Sequence, residues 1–285
     1  MIKKWTICLV LLLIIAGLLS VGSVSMNKSN DTVKASDSAA DSTLSTDVSS
    51  SVDRPSDSPL PAEETVTQDG VKKNGLVTEG GVSFYYVDGV LQKDTVAGND
   101  EDGYYYANAD GVVDMGYCDG VTVNDEDWNV INGKATRSEN EWDATLHSAL
   151  QMVAKCTDSS MSKDEKLRKS FEYLQSSYLE GVPHDPPYLE DDWPVVDAND
   201  LFIYGKGDCF SYGAAFAFIG KAIGYEECYA CNTGGHGWAE IDGLYYDPEW
   251  DMHSHEYNHF GVSPDDPCDV DYSGSLQEDW MRRKV

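Results

Sequence analysis

The feature that most narrows the fold is a dipeptide. Asp242-Gly243 stands between two short apolar and aromatic runs, HGWAEI at 236–241 and LYYD at 244–247. Asp-Gly in this setting signals a two-residue turn whose twist suits an antiparallel hairpin. Such a loop fixes the register: Ile241 faces Leu244, and positions 238 and 247 face each other. Because side chains alternate along a strand, His236 shares a face with Trp238, Glu240, Tyr245 and Asp247. Asp247 then lies on the diagonal from His236, within reach of its second ring nitrogen. The same register carried further sets Glu249 directly opposite His236.

Upstream, GKGDC at 205–209 precedes Phe210, Ala214, Phe218 and Ile219, an apolar face at helical spacing that ends near Gly224. Asp208 is a good N-cap, so Cys209 falls in the first turn, where the helix N-terminus favours a thiolate. Gly205 and Gly207 allow close backbone approach to a substrate. On its own, a cysteine here reads as a small buried apolar residue. A histidine with an orienting carboxylate changes that reading, because thiolate, base and tautomer-fixing acid make a complete nucleophilic set: Cys209, His236 and Asp247. The backbone amide of Cys209 is the default oxyanion donor, and Tyr204 is a candidate second donor.

Two further patterns carry less. Cys228 and Cys231 stand three apart in an expected strand over 226–232, so they face opposite sides and suit neither a shared metal nor a disulfide. His253, His255 and His259, near Glu249 and Asp251, read as a solvated loop cluster. No metal and no cofactor is expected.

The stretches GKGDCFSYGAAFAFIGKAIGY and HGWAEIDGLYYDPEW together resemble the transglutaminase-like (papain-like cysteine) superfamily: a Gly-x-Cys helix start, a His-x-Trp strand, and an Asp-Pro ending the next strand. The resemblance covers residues 162–262 and departs from the family in its short hairpin and brief loop between Cys231 and His236. It implies an α+β domain with the nucleophile on a helix N-terminus packed on an antiparallel sheet. It also implies Cys209 as nucleophile, His236 as base and Asp247 as orienting acid. The activity implied is acyl transfer on amide or peptide bonds through a thioester, giving hydrolysis with water or cross-linking with an amine. The rival is a non-catalytic wall- or carbohydrate-binding surface protein on a degenerate scaffold of the same type.

The rest of the chain concerns location. Lys3 and Lys4 precede an apolar run at 5–24, so 1–25 reads as a signal peptide or retained anchor. Residues 26–70 form a Ser-rich linker too poor in apolar side chains to fold. In 71–136, Phe84, Tyr106 and Trp128 recur every 22 residues, followed at one offset by Asp88-Gly89, Asp110-Gly111 and Asn132-Gly133. Each unit reads as an aromatic strand, a tight turn and a short return strand, stacked on its neighbours. This segment resembles the cell-wall-binding repeats of Gram-positive surface proteins, which makes Phe84, Tyr106 and Trp128 candidate wall-binding aromatics; Leu76 stands where a choline-binding unit has Trp.

Residues 137–285 form the remaining domain. Capping boxes Ser138–Glu141 and Ser162–Glu165 open two helices, and Pro183, Pro186, Pro187 and Pro194 exclude regular structure until about Ala198. The net charge of −30 repels phosphate backbones and anionic lipid alike. The expected partners are therefore a protein or peptide substrate and a cell-wall polymer through the repeats, with no nucleic acid. Membrane contact is expected only through the N-terminal segment, and the location is secreted or at the cell surface.

Overall fold

The computed structural model describes residues 65–66, 70–181, 191–272 and 281–285, all within one compact unit, Pro59–Val285. The expected signal or anchor at 1–25 and most of the linker at 26–70 lie outside the described residues, as do Pro183, Pro186 and Pro187. Among the described residues no helix is long and apolar enough to cross a membrane. The architecture mixes α and β, with antiparallel sheets and helices.

The first part is all strand. In chain order the strands are β1 (Gly75–Glu79), β2 (Val82–Val87), β3 (Val90–Leu91), β4 (Thr95–Asn99), β5 (Gly103–Ala107), β6 (Val112–Val113), β7 (Cys118–Val123), β8 (Glu126–Ile131) and β9 (Lys134–Arg137). They form one sheet in the order β1-β2-β3, with β6 added on β2, and a second in the order β4-β5-β9-β8-β7.

The first and third repeat units are hairpins with two-residue loops, Val87 opposite Val90 and Ile131 opposite Lys134. Their turns place Asp88-Gly89 and Asn132-Gly133 at positive φ throughout, the conformation that selects Asx-Gly. The middle unit departs from the expected hairpin. Asn108 Oδ1 accepts from the amides of Asp110 and Val112, which ends β5 early and opens the turn. β5 therefore pairs with β4 and β9, while β6 crosses to β2.

Four longer helices follow: α1 (Glu141–Cys156), α2 (Lys163–Ser177), α3 (Trp193–Tyr204) and α4 (Cys209–Ile223). The Ser162–Glu165 capping box forms as expected. The one expected at Ser138–Glu141 does not: Asn140 is the N-cap and accepts from the Asp143 amide at 3.0 Å, while the Asp143 carboxylate accepts from the Asn140 side chain. Asn140 and Asp143 reproduce the reciprocal capping logic two residues further on. Pro194 does not delay regular structure either; it sits in the first turn of α3, where its missing N–H has no helical partner to lose.

α4 was expected to show one apolar face, yet every residue from 211 to 223 except Lys221 is buried. A helix covered on all sides belongs at the centre of a core. Two short strands flank α3, β10 (Leu179–Glu180) and β11 (Lys206–Gly207), and pair in parallel. One side of α4 meets α1 and α3, and the other meets a five-stranded sheet. Its strands are β12 (Cys228–Asn232), β13 (Gly237–Ile241), β14 (Leu244–Tyr246), β15 (Phe260–Val262) and β16 (Arg282–Lys284), in the order β15-β14-β13-β12-β16. A short helix, α5 (Pro248–His253), follows β14. Cys228, Ala230, Ala239, Ile241 and Tyr246 join the core around α4. Cys231, Trp238 and Tyr245 point the other way, under Tyr272 of the loop beyond β15. The strand sheet of the first part joins the same core: Cys118 is in the α4 cluster, and Asn129 Nδ2 donates to Asp143 O of α1 at 3.0 Å.

Candidate active site

Cys209 is the first residue of α4, with Asp208 as N-cap. Asp208 Oδ1 accepts from the amides of Phe210 and Ser211 at 3.0 and 3.3 Å, not from that of Cys209. Ser211 Oγ in turn accepts from the Asp208 amide, closing a capping box. The thiol therefore stands at the positive end of the helix, half-buried.

The histidine arrives from the hairpin. Ile241 pairs with Leu244 around Asp242-Gly243, both residues at positive φ, which is the expected register. β13 begins at Gly237, so His236 is the last residue of the loop 233–236 rather than the first of the strand. Thr233 holds it there: the His236 amide donates to Thr233 Oγ1 at 3.2 Å, and the Thr233 amide donates to His236 O at 2.9 Å. Two glycines let helix and strand touch through their backbones. A Cβ on Gly213 would lie 2.6 Å from Trp238 Cα, and one on Gly237 would lie 2.7 Å from Phe210 Cα. This contact brings residue 236 beside residue 209.

His236 Nε2 and Asp247 Oδ2 are 2.5 Å apart, with Asp247 fully buried and the His236 side chain 15% exposed. The Cys209 side chain lies close enough to the same imidazole to act on its charge; Nε2 is engaged by Asp247, so Nδ1 is the ring nitrogen left open to a second partner. Burial alone would lower the His236 pKa, but the hydrogen bond to Asp247, the nearby Cys209 and the charges on both outweigh it and hold the ring up at about 10.

Asp247 is also the N-cap of α5, accepting from the Trp250 amide at 3.1 Å. That cap corrects the expectation for Glu249. Pro248 cannot donate to a sheet ladder, so β14 stops at Tyr246 and the chain turns into α5, taking Glu249 away from the position opposite His236.

No family model matches this chain, and no curated protein does. Among solved structures it is similar to the choline binding domain of Spr1274 in Streptococcus pneumoniae, at 20% identity, covering 26% of this chain and 83% of that chain, with a TM-score of 0.19. A likeness of that size carries no argument about this chain.

The other candidates lie apart from the three. Tyr204, at the end of α3, is 66% exposed and lines a surface groove with Glu141, Asn199 and Ile203. Trp128 is buried against Val130 and Ala135, with Tyr104 at 5.3 Å and Arg137 over its ring, while Phe84 and Tyr106 are half-buried. None of these rings stands free as a flat platform. Cys228 and Cys231 lie on opposite sheet faces, as their spacing requires, and both are free thiols.

Two groups of described residues bring three metal-type donors within 4.8 Å, His259 with Cys268 and Asp269, and Glu180 with Glu249 and His253. In the first, Cys268 Sγ is 3.7 Å from Nδ1 and Asp269 Oδ1 is 3.2 Å from Nε2, so sulfur and carboxylate lie beside different ring nitrogens. The second is largely exposed, an ordinary solvated ion-pair cluster. His255 belongs to neither.

Two residues at the site escaped the sequence. Trp250 packs edge-on against His236 at 5.3 Å, and Tyr272 donates its hydroxyl proton to Asp247 Oδ2 at 3.1 Å. Trp250 follows the Asp-Pro that ends the hairpin and was within sight of the motif. Tyr272 lies 25 residues beyond Asp247 in an irregular stretch that no periodicity marks.

Proposed function

We propose that this chain is an exported cysteine acyl-transfer enzyme with a transglutaminase-like catalytic domain. The observation that carries the reading is one imidazole bonded through Nε2 to the buried Asp247, on a strand whose Gly237 packs against the Cys209 turn at a helix N-terminus. That arrangement is what nucleophilic catalysis by a thiol requires.

In this reading the Cys209 thiolate attacks an amide or ester carbonyl, forming a C–S bond, and the carbonyl oxygen takes the negative charge. The Cys209 amide, left free by the Asp208 cap, faces that charge at the helix start. The intermediate collapses as the C–N or C–O bond breaks, and the His236 imidazolium gives its proton to the departing nitrogen or oxygen. The product is a thioester on Cys209. His236, now neutral, takes a proton from water or from an amine, whose attack on the thioester frees the thiol again. Asp247 keeps the Nε2 proton in place through both halves. Export rests on the expected signal or anchor at 1–25, and the repeats at 71–136 serve as wall attachment or as a spacer.

Site-resolved alkylation by iodoacetamide at neutral pH, read by mass spectrometry, tests the reading. Cys209 should react faster than the partly exposed Cys156 and Cys268 in the same protein, while Cys209→Ala stays folded and loses that reaction. A Cys209 no more reactive than those two would leave the domain a scaffold for binding.

A further inference from the structure

Asp247 does not face His236 alone. Its Oδ2, the oxygen that His236 Nε2 meets, also receives the hydroxyl proton of Tyr272, which is itself 5% exposed. A tyrosine has one such proton. With it directed to Asp247, the Tyr272 oxygen accepts from His259 Nδ1 at 3.2 Å, so Nδ1 of His259 carries a proton. His259 is completely buried, and the chain around it is tied back to the site: its carbonyl accepts from the Asp247 amide at 2.9 Å, and its own amide donates to Asp251 Oδ1 at 3.2 Å. Its Nε2 lies 3.2 Å from Asp269 Oδ1 without hydrogen-bond geometry. Asp269 Oδ2 accepts from Ser254 Oγ at 2.8 Å and from Trp250 Nε1 at 3.2 Å. Trp250 is the residue packed edge-on against His236, so the outer carboxylate reaches the same imidazole from a second side.

We propose that Tyr272 and His259 are positioning residues for the Cys209–His236–Asp247 set, a buried hydrogen-bonded line from His259 through Tyr272 that fixes and tempers the Asp247 oxygen bonded to His236. The proposal rests on the acyl-transfer reading above. It goes beyond a packing role because both donors meet one oxygen. A carboxylate oxygen with two donors is less basic toward each than with one, and it cannot swing away from either. Burial and the adjacent Asp247 charge push the Tyr272 hydroxyl far up, so it stays a donor over the working range. The charged and titratable groups that face this line are His236 and Cys209 on one side, Glu249 and Asp251 from α5, and Cys268 and Asp269 from the loop.

The test uses the full chain and two probes: NMR titration of the His236 imidazole, and the pH dependence of iodoacetamide alkylation at Cys209. In the wild type, His236 should titrate well above an ordinary histidine. If it titrates as an ordinary histidine and Cys209 alkylates as a free thiol, the acyl-transfer reading itself fails. Given a paired wild type, Tyr272→Phe keeps the ring packing on Trp238 and Tyr245 and removes only the hydroxyl, which donates to Asp247 and accepts from His259. Asp247 then holds the imidazolium more strongly, so the His236 titration moves up by roughly one pH unit and Cys209 alkylation starts at correspondingly lower pH. His259→Leu should shift both in the same direction by less, and His259→Asn, whose amide donor falls where Nδ1 was, should restore the wild-type profile. Unchanged or lowered His236 titration in a folded Tyr272→Phe variant overturns the proposal. Should that variant not fold, the His259 pair decides: equal profiles for Leu and Asn overturn it.

Discussion

Asp247→Asn isolates the charge of the orienting acid with little change in shape. The amide oxygen can keep the cap on the Trp250 amide, and Asn is as good an N-cap as Asp. What goes is the negative charge 2.5 Å from His236 Nε2, the largest influence that raises the imidazole above its ordinary 6.5 to about 10. With it removed, only Cys209 is left to oppose burial, and the His236 pKa falls. Imidazolium at neutral pH drops with it, and the tautomer is no longer fixed. In the Ser-His-Asp example of the serine proteases the same change lowers kcat by ~10⁴; alkylation reads only the thiolate fraction, about 3% for a free thiol at pH 7, so the Cys209 alkylation rate should fall by about tenfold.

Stability gives a second readout. A histidine whose folded pKa exceeds its unfolded value stabilises the fold fully below pH 6.5, and that contribution is lost as pH rises toward about 10. For a side chain 15% exposed the swing is on the order of 2–5 kcal/mol. The wild type should therefore lose Tm across that window, and Asp247→Asn should lose much less. The assays are site-resolved alkylation rates and thermal melts at matched pH. Glu249→Gln is the comparison, because from α5 Glu249 acts on His236 through its charge alone, and its effect should be much smaller than that of Asp247→Asn. A reactive Cys209 in Asp247→Asn, together with an unchanged pH dependence of Tm, would refute the reasoning.

Two further substitutions probe how the site is assembled. Gly237→Ala puts a Cβ 2.7 Å from Phe210 Cα; forcing β13 off α4 should cost about 1–3 kcal/mol by denaturation and slow Cys209 alkylation, and an unaffected alkylation rate would show that this contact does not set the distance to His236. Asp197, buried in α3 and raised to about 8 by burial and then by the charges of Asp208 and Asp200, binds its proton more tightly folded than unfolded. Its contribution therefore falls as pH rises through that range. Asp197→Asn should raise Tm at about pH 9, by on the order of 2–5 kcal/mol in stability, with little change at about pH 4; equal effects at both would exclude a buried charge as the cause.

What the sequence determined by itself is local. Asp242-Gly243 set the hairpin register, because a two-residue turn leaves one pairing, and that register carried Asp247 to His236. Asp208 and the apolar run after it set a helix start under Cys209. Asp88-Gly89 and Asn132-Gly133 set two hairpins for the same reason. Where a side chain competed for the backbone, composition misled: Asn108 opened the middle repeat, Asn140 displaced Ser138 as a cap, and Pro194 opened a helix instead of forbidding one.

Only the tertiary structure decided that Cys209 and His236 meet. Their segments are joined by no turn signal; they meet because Gly213 and Gly237 let α4 and β13 approach to backbone contact. It alone brought Tyr272 to Asp247 from 25 residues away and folded the strand sheet onto α1 through Asn129. Turn and cap chemistry acts within a few residues and is written in order along the chain. Contacts between distant segments depend on shape and on missing side chains, which sequence order does not record.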